Sequence, residues 1–115
     1  MTITISAAAG KLYTVPPRVA ITRQTIDRWA INLANSLNVG EDVYSIAATI
    51  MKRLEPEPIA EIEDFVTATD VDGTNVVIDF DGGVLVEGGL YRLEVTVTLN
   101  SGMTVDRLML IEVAA

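Results

Sequence analysis

Two sets of carboxylates are the side chains in this sequence best suited to chemistry. Asp70, Asp72, Asp79 and Asp81 are hard oxygen ligands of the kind calcium takes. Their spacing departs from an EF-hand loop. Gly73 stands fourth where the loop needs glycine sixth, and no glutamate closes it. Aspartate before glycine is also what hairpin turns prefer, so turn chemistry is expected here and no metal. The second set, Glu55, Glu57, Glu61, Glu63 and Asp64, has the residue type of a glycosidase carboxylate pair. It sits in the segment EPEPIAEIED, where two prolines and five acids point to a linker or a solvated edge. The four serines, Ser6, Ser36, Ser45 and Ser101, lie in no nucleophile elbow, and the chain has no histidine to activate one. Gly82-Gly83 and Gly88-Gly89 are followed by no lysine and no helix start, which argues for hairpin turns over a phosphate loop. No catalytic set can be assembled. The expectation is a binding or structural module, not an enzyme, with no cofactor and no metal.

The elements that would carry a binding surface must come from 115 residues, one domain's worth. A chain of this size buries roughly 65% of its unfolded surface. Half the residues are hydrophobic and 21% are charged, which rules out general disorder. There are no cysteines, so disulfides and thiolate metal sites are excluded. The net charge of −8 argues against a nucleic-acid partner. That charge is split along the chain. Residues 1–54 hold six basic and three acidic side chains, and residues 55–115 hold two basic and thirteen acidic. Such a split suits copies packing head to tail, or else two solvated halves of one domain. No segment reaches the ~20 consecutive apolar residues of a membrane helix. The N-terminal MTITISAAAG lacks a charged start and a long apolar core, so synthesis in the cytoplasm is expected, with no membrane contact.

Residues 1–24 read as an extended N-terminal arm. Thr2–Ile5 alternate, Ala7–Gly10 break the pattern, and Pro16-Pro17 force an extended backbone without donors. Leu12, Tyr13 and Val15, with Arg18 beyond the prolines, are the candidate partner-binding residues, because apolar side chains on an arm need a surface to lie on. Trp29, the only tryptophan, is expected in the core with Ile31 and Leu33. Residues 42–54 fit two patterns. Val43, Ile46, Ala47, Ile50, Met51 and Leu54 suit an amphipathic helix, whereas Ile46, Ala48 and Ile50 suit a strand, and periodicity alone leans to the helix. From residue 65 onward the β signal is strong. Short alternating runs are broken by Asp72-Gly73, Asp81-Gly82-Gly83, Gly88-Gly89 and Asn100-Ser101-Gly102. The run Leu108-Met109-Leu110-Ile111 is apolar on both faces, so one side is expected to meet another sheet, subunit or arm.

The order of these pieces resembles a known family. Thr25-Ile26-Asp27-Arg28-Trp29-Ala30 precedes Gly40-Glu41-Asp42-Val43. Gly82-Gly83, Gly88-Gly89-Leu90-Tyr91, Ser101-Gly102 and Asp106-Arg107-Leu108 follow, and Ile111-Glu112-Val113 closes the chain. This is similar to the small virion proteins of tailed bacteriophages known as fiber-tail adaptors, over residues 25–113. Three departures stand out: Gly-Glu-Asp-Val replaces a G-D-x-I turn, Ile50-Met51 replace an aromatic, and Met103 replaces an arginine. The resemblance implies an all-β, immunoglobulin-like antiparallel β-sandwich over residues 25–115, with 43–54 as a strand. It further implies a non-enzymatic adaptor in the tail or collar of a virion, joining tail components and fibers as many copies in a ring. On this reading the arm lies on a neighbouring subunit, and removing residues 1–20 leaves the sandwich folded. The alternatives are a capsid decoration protein of the same fold, or an α+β regulatory or ligand-binding domain with helices at 25–38 and 42–54.

Overall fold

A computed structural model describes residues 2–7, 13–34, 37 and 39–114. Eight strands follow one another: β1 (Thr2–Ala7), β2 (Tyr13–Ile21), β3 (Ile26–Asn32), β4 (Val43–Glu55), β5 (Val66–Asp72), β6 (Asn75–Asp81), β7 (Leu90–Leu99) and β8 (Thr104–Val113). A 3-10 turn, Gly82–Val84, follows β6. The hydrogen-bonded order is β4-β7-β8-β2-β1-β3-β6-β5. The strip folds over at β2 and β1, so β3, β6 and β5 form one layer and β4, β7 and β8 the other. The protein is an all-β sandwich, as the strand and turn pattern of residues 65–113 predicts.

Alternation explains the core. In β7, Tyr91, Leu93, Val95, Val97 and Leu99 are buried while every residue between them is half-exposed. In β6, Val76, Ile78 and Phe80 are buried in the same manner. β3 supplies Trp29 and Ile31 to the interior, and Leu33 follows them just past the end of the strand. Trp29 stacks on Phe80 with ring centroids 3.8 Å apart, and Phe65 packs 6.0 Å from Trp29 and 5.4 Å from Phe80. The expectation of a core tryptophan between the layers is met. The β5–β6 hairpin closes through Gly73-Thr74, with Gly73 at φ 62°, a conformation that costs glycine little. Gly82 has no room for a side chain, since a Cβ there would collide with the Thr22 carbonyl. The apolar run Val84–Val86 is not a strand: only Leu85 is buried, and its amide closes the 3-10 turn on the Gly82 carbonyl at 3.1 Å.

Residues 43–54 lie in strand β4, as the resemblance implies and against the helical lean of periodicity, which removes the helical pair on which the α+β alternative depended. One expectation needs correction: the sandwich is not purely antiparallel, since β1 runs parallel to β3 and β2 runs parallel to β8. Both parallel pairs come from the N-terminal segment. The described strands of that segment are built into this chain's own sheets. β1 pairs with β3 over Thr2–Ser6, and β2 pairs with both β1 and β8. Between Tyr13 and Arg18, β2 advances five residues while β8 advances two, from Leu108 to Leu110. Pro16-Pro17 occupy this bulge, where their missing N–H groups cost no ladder hydrogen bond.

Candidate partner-binding surface

The outward side chains of β4, β7, β8 and β2 share the solvent face of the second layer. Register arranges them in rows across the strands. Lys52 stands opposite Arg92, Arg92 opposite Leu110, and Leu110 opposite Arg18. One row along, Ile50 stands opposite Glu94, Glu94 opposite Leu108, and Leu108 opposite Tyr13. On the other side, Glu55 stands opposite Leu90, Leu90 opposite Glu112, and Glu112 opposite Ala20. The face is therefore a cationic row with an apolar member, between one row that is mostly apolar and one that carries two acids.

Two of the four candidate arm residues meet on this face. Tyr13 is 38% exposed, and Arg18 is an exposed cation that donates a hydrogen bond from its guanidinium to Glu112 Oε1. That bond, reinforced by the nearby Glu55 charge, raises the Arg18 pKa above its ordinary value. Leu12 lies outside the described residues. Val15 holds a strand position in β2, where it pairs with Ser6, and its side chain lies outside the described set. Leu108 is buried although it points outward, and Leu110 is half-buried. The two-sided apolar character of the last strand thus becomes an inner set, Met109 and Ile111, and an outer pair, Leu108 and Leu110. Arg18, Glu55, Gly88, Gly89 and Glu112 also border an open concavity of ≈ 430 Å³ at the lower end of the face.

The carboxylates singled out for chemistry have structural tasks. Asp81 caps the 3-10 turn by accepting from Gly83 N at 2.8 Å, and Asp70 accepts from Val71 N at 2.8 Å. Asp79 accepts from Arg28 Nε at 2.6 Å and Nη2 at 3.2 Å, and the Arg28 hydrogen bond holds its carboxyl below the usual range. Among the described residues no group of three or more potential metal ligands converges. Residues 57–64 run beside β4. Ile59 exchanges two backbone hydrogen bonds with Arg53, at 3.0 and 3.1 Å, and Ile62 donates to the Met51 carbonyl at 2.7 Å. Glu57, Glu61, Glu63 and Asp64 stay exposed around this anchored backbone.

The charge split along the chain does not become two charged poles. Arg18 and Arg28 come from the basic half, and they pair with Glu112 and Asp79 of the acidic half inside one molecule. The sequence reading missed the juxtaposition of Lys52 and Arg92. They are forty residues apart, and only the β4–β7 register brings them together. No described helix is long and apolar enough to cross a membrane. Compared with known protein families, curated proteins and solved structures, the chain matches none of them.

Proposed function

We propose that this protein is a non-enzymatic assembly subunit of a tailed-phage virion, an adaptor joining tail or collar components to fibers. The observation that carries this reading is the fit of the resembling motifs to a single β frame. The Ile26–Ala30 motif runs along β3, and Gly40–Val43 leads into β4. Gly82-Gly83 open the 3-10 turn, Gly88-Gly89 precede β7, Ser101-Gly102 join β7 to β8, and Asp106–Val113 run along β8. An immunoglobulin-like arrangement of these strands belongs to the same proposal. Exposed apolar side chains at both ends of the molecule support a protein that docks on others. Val39, Tyr44 and Met103 lie at one end, and Ile26, Val84 and Val86 at the other.

Binding to purified virion parts tests the proposal. The protein is expected to bind isolated phage tails and to recruit fiber subunits to them in a gradient co-sedimentation assay. Sedimentation with capsids and not with tails would replace the adaptor by the decoration-protein reading.

A further inference from the structure

The Lys52–Arg92 pair is an unusual placement for two cations in an acidic chain. They stand directly opposite each other on adjacent strands, where like charges repel at close range. The chain has 16 acidic and 8 basic side chains, so carboxylates are abundant. Even so, among the described residues neither cation has a carboxylate within salt-bridge distance, whereas Arg18 and Arg28 each have one. Both side chains are half-buried, and among the described residues the buried Arg92 Nε has no hydrogen-bond partner. Leu110 in the same row and Ile50 in the next give the cations an apolar border.

A second surface of the same chain has the opposite character. Residues 57–64 are fastened to β4 through backbone hydrogen bonds of Ile59 and Ile62; Ile62 packs against the core, while Glu57, Glu61, Glu63 and Asp64 stay exposed. Glu57, Glu61 and Glu63 are exposed beside Ile59, itself 37% exposed, and among the described residues none of these carboxylates pairs with a cation. Arg53 reaches this segment but donates to the Glu57 carbonyl, not to its carboxylate. The segment crosses from one layer to the other between β4 and β5. Within one molecule its backbone runs along the β4 edge beside Met51 and Arg53, and among the described residues none of its carboxylates forms an ion pair with Lys52 or Arg92.

We infer that the Lys52–Arg92 face of one copy receives the acidic segment 57–64 of a second copy. Acid with an exposed isoleucine then meets base with an apolar border, and the like-charge pair gains the counter-charges it lacks in a single molecule. Because the two surfaces differ, each copy offers both halves of the contact. The inference rests on the assembly-subunit reading and supplies a contact between its copies.

Analytical ultracentrifugation of the full chain tests the contact, with two charge-reversed variants: K52E/R92E, and E57K/E61K/E63K. The wild type is expected to self-associate, more weakly as salt rises. Each variant alone is expected to associate at least ~10-fold more weakly, and an equimolar mixture of the two to recover association. All substituted side chains are partly or fully exposed, and an unchanged circular dichroism spectrum verifies folding. The milder K52Q/R92Q variant gives the same loss of association if the reversal disturbs β4. A wild type that stays monomeric at low salt, or reversal without effect on association, overturns the inference. Tail binding that persists in such a monomer leaves the adaptor reading standing. Self-association without tail or fiber binding overturns that reading and leaves this contact intact.

Discussion

Trp29 is fully buried, stacks on Phe80 and touches Phe65, so the interior of the first layer is organised around one indole. Among the described residues its Nε1–H has no hydrogen-bond partner, so packing is the contribution that the structure shows for this residue. Trp29→Ala is expected to cost about 3–5 kcal/mol in a urea titration, and Trp29→Phe markedly less, because the phenyl ring retains most of the stack. A loss below ~1 kcal/mol for the alanine variant would show that the aromatic cluster does not hold the layer together. Asp79 gives a prediction in pH. Its hydrogen bond from Arg28 makes the folded-state pKa lower than the unfolded one. The folded state therefore binds fewer protons over that interval. The contribution is fully present above the ordinary aspartate value of ~3.9 and is lost as pH falls through the lower folded value. A carboxyl NMR titration is expected to place the Asp79 midpoint below ~3.9, and Arg28→Gln to return it there. An unchanged midpoint in that variant would assign the shift to another cause. At this scale the sequence was informative about residue type and silent about partners. Asp81 was recognisable as a turn aspartate from the glycines beside it. The link from Asp79 to Arg28 spans fifty-one residues and exists only through the β3–β6 register.

Strand β4 shows why local periodicity misled. Its ladder with β7 shifts register at three places: Val43/Ser45, Ile46/Ala48 and Arg53/Glu55. Each bulge inserts a residue and flips the alternation, so the inward apolar side chains Val43, Ile46 and Met51 fall at irregular spacing. That irregular spacing imitates the three-to-four-residue recurrence of a helix. β7, which has no register shift against β8, reads correctly from its sequence because the alternation is unbroken. β2 presents the opposite problem, since its two prolines and apolar residues describe an arm as well as a strand. In the folded chain β2 bonds to β1 on one side and β8 on the other and so joins the two layers. Deletion of residues 1–21 is expected to abolish cooperative thermal unfolding and the dispersed amide spectrum, since it removes β1 and β2 and leaves both β3 and β8 with open edges. A truncated protein that stays folded and merely loses its partner would restore the view of this segment as an arm docked on a neighbour.

At the scale of the molecule, the two layers place the chain's charges as well as its core. Cations of the first half and anions of the second interleave, because β2 and β3 enter the middle of sheets whose other strands come mostly from later in the chain. Among the described residues, Lys52 and Arg92 on one face and the carboxylates of the anchored segment 57–64 form no ion pair within the molecule. These two features offer a physical basis for copies of the protein to meet. The class of structure was legible in the sequence. Alternation over β6, β7 and β8 with glycine turns between them specifies strands locally. The absence of histidine and cysteine removes whole families of reaction whatever the fold. Tertiary structure alone decided the site of the N-terminal segment, the parallel pairings and the rows of the outer face. Each depends on strand register across long sequence separations, and a one-residue slip in register moves every side chain of a strand to the opposite face.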